Sequence, residues 1–504
     1  MIKYNKTVIL DCYTDEPSGY GARPYLGTHQ IHLAQALSYK NETFSYLTID
    51  DLRFASGEKE TENTNIRILN KTKNAPQAID IIKNAEIIYI VMGCFVEYKY
   101  FSCEPPSIDE VYTFLKNTKA KKVLFYVLGV ENNICSAYRN SHLAKIIDTV
   151  CIGNTYRFVL ENSAIDNFLL PNYDLLDKIS SQPIHIIEQL NYPILAEIET
   201  GTGCNTPTCS YCIEAKRHIR PSYREPHSII NQISALYQSG VRHFRLGRQP
   251  NFFHYQYNSI SKLKELLSGI REIATDIKTL HIDNVNMNSV VESHGREFVK
   301  LITEYCTDGN VAPFGIESFD DNVRKATHIY GGADKIIKAI EIINEYGAEI
   351  GKNGFPKFLP GINLMHGLPG QTEKTHEINI EFLNKIYQNR LQTHRLFYRY
   401  MTPAEGIISS QIKEDLDYYN KCKNEIMQNF VIPMQKYVYP KGRQLRGFRE
   451  VVFENGDSFL RTLGTCSIKV MIENKKLTPY DTYNIQILDT IDPKLLKGEI
   501  IKGN

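Results

Sequence analysis

Cys204, Cys209 and Cys212 fall within nine residues, in the stretch Glu199-Thr-Gly-Thr-Gly-Cys204-Asn-Thr-Pro-Thr-Cys209-Ser-Tyr-Cys212. Thiolates this close together on a tight loop can hold three irons of a [4Fe-4S] cube and leave the fourth iron open to another ligand. Gly201, Gly203 and Pro207 supply the turn chemistry such a loop needs. A zinc site or a set of buried thiols is the alternative. Zinc takes four ligands, often as paired Cys-x-x-Cys or with histidines at set spacings. Only Cys209 and Cys212 make a tight pair here, and His218 has no second histidine three to five residues on.

The elements around the loop repeat as strand then helix. From Tyr192 the strand segments are Pro193–Glu199, His243–Gly247, Leu280–Val285, Ala312–Glu317, Leu359–His366 and Arg395–Tyr400. Between the first two, Ile229, Ile233 and Leu236 share one helical face, Pro226 suits a first turn and Gly240 a C-cap. Six such units predict a partial βα barrel. Functional residues of βα barrels stand at the carboxyl ends of strands, and the cysteine loop follows the first strand.

The loop resembles the cluster loop of radical S-adenosylmethionine (SAM) enzymes. It departs from their usual pattern in a first gap of four residues rather than three. The resemblance covers about residues 190–405 and implies a partial (βα)6 TIM barrel. In that family SAM's amino and carboxylate groups chelate the open iron. One electron from an external donor then cleaves the sulfonium and gives a 5′-deoxyadenosyl radical. Cys204, Cys209 and Cys212 become the metal ligands by that resemblance. Arg248 and Gln249 stand where many members carry Gly-Gly-Glu. Arg248 would pair with a carboxylate of SAM or substrate, or make a rim salt bridge. Asn286 closes a polar cluster that starts at Asp283. Glu317 and Ser318 resemble the Glu-Ser segment near the SAM ribose and amino group. The run from Asn363 through Gly367 and Gly370 to Thr372 resembles a Gly-Leu-Pro-Gly-Glu-Thr turn, with glycines that allow close approach to adenine and Thr372 as a helix cap. His243, His254, His366 and His394 read as structural histidines, and Tyr398 and Tyr400 as packing.

Before the barrel, apolar runs at Thr7–Leu10, Phe44–Ile49, Ile87–Met92, Val123–Leu128 and Thr149–Ile152 alternate with amphipathic segments such as Gly27–Ser38. This is the grammar of an open parallel, Rossmann-like sheet, whose carboxyl edge holds Asp11–Gly21, Gly93–Lys99 and Gly129–Asn132. A domain of this class before a radical SAM barrel often binds cobalamin. The Asp-x-His-x-x-Gly signature is absent, as it commonly is in that group. Cys12, Cys94, Cys103 and Cys135 raise the rival of a second cluster, as in methylthiotransferases.

After the barrel, 411–438 reads as helix and Lys441–Phe448 as a basic linker. Phe448–Glu454 leads into Asn455-Gly456, a hairpin signal of the I′ type, and Ser467–Ile472 and Asn484–Leu488 follow as strands. About 55 residues of this kind fit a small barrel, similar to the OB- or TRAM-like domains on several RNA-modifying relatives. Arg443, Arg446, Arg449 and Lys469 could touch phosphate there, with a solvated basic face and use of the domain in protein or domain docking as the alternatives.

The 504 residues predict three domains, at 1–180, 181–410 and 411–504. A net charge of +1 argues against a protein that coats nucleic acid globally. No apolar run reaches the roughly eighteen residues of a membrane span, no signal-peptide pattern opens the chain, and eleven cysteines read as reduced thiols or ligands in the cytoplasm. The fold class expected is α/β, with a Rossmann-like parallel-sheet domain, a partial (βα)6 TIM barrel and a small C-terminal β domain. The function expected is that of a radical SAM enzyme, a cobalamin-dependent methyltransferase acting on an unactivated carbon. A methylthiotransferase-like modifier and a non-catalytic iron-sulfur protein stay open. The substrate, whether protein, small molecule or RNA, is not legible.

Overall fold

The computed structural model describes residues 4–13, 25–58, 72–93, 103, 105–126, 138, 140–161, 167–168, 170–212, 214–215, 220–401, 415–466 and 468–501. The loop residues expected at 14–21, 94–99 and 129–132 lie outside that range, as do Cys94 and Cys135.

The first strands are β1 (Thr7–Asp11), β2 (Tyr25–Leu26), β3 (Phe44–Thr48), β4 (Ile87–Met92), β5 (Lys121–Tyr126), β6 (Thr149–Gly153) and β7 (Asn167–Phe168). All but β2 join one parallel sheet in the order β3-β1-β4-β5-β6-β7. β1 is buried along its whole length, which explains a continuous apolar run in place of alternation. Ile49 is not strand: it opens the helix Ile49–Ala55, whose N-cap Thr48 accepts the Asp51 N–H. Strand order reverses at β1 and β4, the switch point at which sheets of this kind hold ligands beyond their carboxyl ends. At that edge Asp11 is buried. It accepts the Tyr13 N–H at 2.8 Å, the Gln30 amide at 2.9 Å and the Tyr46 hydroxyl at 2.5 Å.

The next strands are β8 (Leu195–Glu199), β9 (Gly201–Thr202), β10 (Ser222–Tyr223), β11 (His243–Gly247), β12 (Thr279–Ile282), β13 (Asn310–Glu317), β14 (Phe358–His366) and β15 (Leu396–Tyr400). All six expected barrel strands form. They run parallel in two sheets, β12-β11-β8-β2 and β13-β14-β15. β12 stops at Ile282, short of Val285. Pro313 in β13 has no N–H to give a ladder, and the gap is bridged by Ile282 N–H to the Asn310 side chain and Val285 N–H to the Pro313 carbonyl. β2 adds parallel to β8, pairing Tyr25 with Leu195 and Leu26 with Ala196. The helix Thr28–Tyr39 that follows it therefore starts toward the carboxyl edge of the arc, although it also packs on helix Thr155–Glu161, which follows β6. The division expected near residue 180 is crossed by this two-residue strand.

Helix 411–438 resolves, from Leu416, into Leu416–Ile426, a wider turn at Met427–Val431 and Ile432–Val438. Pro433 lacks a donor there, which suits a local widening. The last strands are β16 (Gln444–Glu454), β17 (Asp457–Thr462), β18 (Lys469–Ile472), β19 (Tyr483–Asp492) and β20 (Leu495–Ile501). They close a barrel in the order β16-β17-β18-β20-β19, with β18 and β20 parallel, the connectivity of a five-stranded Greek-key barrel. Asn455 and Gly456 both take positive φ, as the hairpin signal requires. Lys441–Phe448 is not a linker. β16 already starts at Gln444, and its register shifts between Leu445 and Phe448, around Gly447 at φ +88°, let one strand bend between two partners.

The loop Leu463–Cys466 of this small barrel reaches under the arc, at the amino ends of its strands. Thr279 donates its hydroxyl to the Leu463 carbonyl at 2.7 Å, and Thr465 accepts the Val311 N–H at 2.8 Å. His281 Nδ1 accepts the Thr465 N–H at 3.0 Å. Burial pushes the His281 imidazole down to about 3, so it stays neutral. A Cβ on Gly464 would meet that ring at 2.8 Å. Among the described residues no helix is long and apolar enough to cross a membrane.

Candidate active site

The cysteine loop leaves β8 through Thr200, whose N–H bonds the Gly247 carbonyl at 3.0 Å. Gly201 packs against β10 so closely that a Cβ would lie 2.6 Å from the Tyr223 ring. Gly203 turns the chain at φ +82°. Farther on, Ser210 N–H bonds the Thr327 carbonyl at 3.0 Å and the Thr208 hydroxyl bonds the His328 carbonyl at 3.0 Å. The loop is thus tied at one end to β11 and at the other to the turn after helix Asp321–Ala326.

Among the described residues, Cys12, Cys103, Cys151, Cys306, Cys422 and Cys466 are buried, whereas Cys204, Cys209 and Cys212 are partly exposed. Cys204 Sγ accepts the Thr206 N–H at 3.4 Å. Burial raises all three thiols, Cys209 to about 11 and Cys212 to about 12. Cys204 opposes the ionisation of Cys209, and Cys209 that of Cys212. No trio of His, Cys, Asp or Glu among the described residues stands at metal-ligating distances. Three neighbouring sulfurs at a solvent-reachable edge are still a donor set that fits an iron-sulfur group, because soft thiolates are its ligands.

Around the loop the strand ends converge. Glu317 ends β13 at φ +61°, after a register shift at Gly315. Burial raises its carboxyl to about 7, against the opposing pull of Arg399 and Arg324. It faces Tyr211, whose hydroxyl bonds Cys209. Tyr211 in turn packs with Met365, Leu368 and Met401. A carboxyl whose folded pKa exceeds its unfolded value makes stability fall as pH rises between the two. Glu317→Gln in iron-free protein is therefore expected to gain on wild type in urea stability between pH 4.5 and 7. A pH-independent difference would mean that this carboxyl ionises normally.

Arg248, at φ +70°, is buried against Glu199, Nε to Oε2 3.3 Å, and burial lowers its guanidinium to about 10. The rim salt bridge is the arrangement seen. Gln249 is buried and neither of its amide atoms has a hydrogen-bond partner. Asn286 caps helix Met287–Val291, its Oδ1 accepting the Asn288 N–H at 2.9 Å. Ser318 is buried in its own turn and accepts the Asp320 N–H. Asn363 is part-exposed, and its Oδ1 has no partner. Gly367 and Gly370 both take positive φ. Gly370 faces Ala326, where a Cβ would lie 3.0 Å away, and the Gln371 side chain closes the turn onto Gly367, Leu368 and Met365. Thr372 is the cap residue of helix Glu373–Gln388. Glu317, Gln249 and Asn363 thus keep side-chain atoms for a ligand, whereas the Asn286 and Ser318 side chains already bond within their own turns.

His366 lies on the other face of β14, bonded to the Tyr398 hydroxyl at 2.9 Å among Tyr400, Tyr418 and Tyr419. Sequence reasoning missed a buried triad inside the arc. Arg245 reaches both oxygens of Glu197, at 2.6 and 2.8 Å, and also pairs with Asp283. Alternation along β8 and β11 was its only signal.

A parallel sheet joined to a parallel arc, with three neighbouring thiols on the loop after the arc's first full strand, is the architecture of radical SAM enzymes. The chain belongs to the radical SAM superfamily, whose model matches residues 198–383. It is 31% identical to an uncharacterized protein of Methanocaldococcus jannaschii, over 99% of this chain and 93% of that protein. It is 23% identical to the ribosomal protein uS12 methylthiotransferase RimO of Clostridioides difficile, over 64% of this chain and 70% of that one. Among solved structures, the radical SAM methyltransferase TsrM of Kitasatospora setae, with cobalamin and a [4Fe-4S] cluster bound, superposes with a TM-score of 0.47 at 12% identity. That match covers 79% of this chain and 72% of TsrM. The superfamily's cofactors are the [4Fe-4S] cluster and SAM, used with an external electron donor.

Proposed function

We propose that this protein is a cobalamin-dependent radical SAM methyltransferase acting on an unactivated carbon, with Cys204, Cys209 and Cys212 as the cluster ligands. One observation carries the cobalamin reading: the carboxyl edges of the two parallel assemblies meet. Gln30, in the helix that starts at the edge of the arc, bonds Asp11 at the switch point of the first sheet. From the same turn, His29 lies near Glu199 at the end of β8. A planar cofactor bound at the switch point would face the thiolate loop across this seam. Cobalamin, when bound, supplies a transferable methyl group, and the cluster supplies one electron to SAM.

The chain's own residues then divide the remaining work. The three thiols hold iron once their protons leave. Glu317, with Gln249 and Asn363, offers acceptors to a bound SAM, and its raised carboxyl accepts or returns a proton near neutral pH. Tyr211 fixes Cys209 and fills the apolar gap behind it. A methylthiotransferase-like reading draws support from the RimO relationship and requires a second cluster in the first sheet. Cys12 and Cys103 are buried in one apolar core, whereas the three thiols of the cysteine loop are partly exposed, which favours the methyltransferase.

The test is metal content after anaerobic purification and reconstitution with cobalamin supplied. Four irons and one cobalt per chain are expected. Four irons without cobalt would sink the cobalamin reading, and about eight irons would favour the methylthiotransferase.

A further inference from the structure

Strand β15 is the outer strand of its sheet, and its side chains alternate. Parallel register sets Phe397 beside Asn363 and Arg399 beside Met365. Met365 packs against Tyr211 of the cysteine loop, so this face looks toward the site. Arg395 and Arg399 both lie by the Phe397 ring, their guanidinium carbons 4.7 and 4.9 Å from its centroid. The turn between β19 and β20 brings Lys494 to the same ring, its ammonium at 5.8 Å. Burial, then Lys423 and Lys469, push the Lys494 ammonium below the usual lysine range, with Arg399 adding to the effect. Asp492 offsets part of this charge, and Glu450 and Glu454 lie nearer Lys469. Glu450 already pairs with Arg461 at 2.8 Å.

Like charges from separate segments do not gather for the sake of stability. Arg395, just before β15, and Arg399 within it share one ring, so their guanidinium carbons are no more than about 10 Å apart; with Lys494, Lys423 and Lys469 the cations gathered here exceed the charge of one phosphate. Of the basic residues expected from sequence to touch phosphate, Arg443 bonds the Val438 carbonyl and Arg449 bonds the Tyr480 carbonyl at 3.1 Å, whereas Lys469 lies beside Lys494.

We propose that Arg395, Phe397 and Arg399, with Lys494, Lys469 and Lys423, form a track for the phosphodiester backbone of a single-stranded RNA, running along the open edge of the arc toward Glu317. This deepens the reading above by naming a substrate class, and binding on the track does not require cobalamin.

The experiment is fluorescence anisotropy with a labelled single-stranded RNA and the iron-loaded full chain, titrated over salt. Log affinity is expected to fall against log salt with a slope of about −2 or steeper, three or more phosphates at about 0.7 each. Lys494→Gln and Arg399→Gln should each lower the slope by about 0.7 and weaken binding about fivefold at 0.1 M salt. Lys385→Gln, on an exposed helix face, should leave both unchanged. Iron content and thermal midpoint show whether each variant is folded. No binding by wild type, or an unchanged slope in both track variants, would overturn the proposal. Equal displacement of RNA by inorganic pyrophosphate at matched phosphate, or by polyglutamate at matched charge, would also overturn it, in favour of a small phosphate ligand or an acidic protein. Absence of cobalt in the metal assay would refute the cofactor reading and leave this result standing.

Discussion

Cys209→Ala is expected to bring both iron content and SAM cleavage to background. Cys209 is the middle thiol of the three, in electrostatic contact with each of the others and bonded to Tyr211. Without it, two sulfurs remain for a cube that needs three protein thiolates and an open corner. The bare thiols are protonated at neutral pH, with Cys209 near 11 and Cys212 near 12. Iron must replace those protons, so loading releases acid and proceeds better at higher pH. Cys306→Ala is the control, because Cys306 is buried away from the loop and should leave iron at about four per chain. Iron per chain and SAM turnover under reducing conditions decide the matter. A Cys209→Ala protein that retains both would overthrow the ligand assignment.

Arg245→Met should destabilise the arc by about 3–5 kcal/mol. Arg245, Glu197 and Asp283 have side chains 5%, 1% and 0% exposed, and one guanidinium serves two carboxylates. Removing it strands two like charges in a medium that solvates neither. Gly247 is confined over this pair, since a Cβ there would collide with the Glu197 carboxylate. Denaturant unfolding followed by a barrel probe measures the loss, and adding Glu197→Gln to Arg245→Met should recover part of it. An unfolding midpoint equal to wild type in Arg245→Met would show that the triad contributes nothing.

What the sequence shows plainly is what depends on nearby residues. The cysteine spacing, the six barrel strands and the Asn455-Gly456 turn are local signals, and all are found in the fold. β2 escaped notice because two residues carry no periodicity, and only its partner β8 makes it a strand. Lys441–Phe448 looked like a linker because Gly442 and Gly447 read as breaks, whereas Gly447 serves a bulge inside β16. Arg248 is a matter of partnership: its type suggested a carboxylate partner or a rim salt bridge, and only folding brings Glu199 of the same chain beside it. The track on β15 needs Lys494, which folding brings from almost a hundred residues away. No pattern along the chain reports that meeting.

The Leu463–Cys466 loop has a consequence for the order of assembly in the cell. A ribosome makes β12 and β13 long before it reaches Thr465, so the nascent arc holds His281 and Val311 without the groups they bond in the finished chain. The floor of the reaction chamber is laid last. Iron delivered to the cysteine loop during synthesis would meet an unfinished vessel, so a cluster inserted after translation is the expected order. A fragment ending near residue 410 would then be an incomplete enzyme rather than a minimal one.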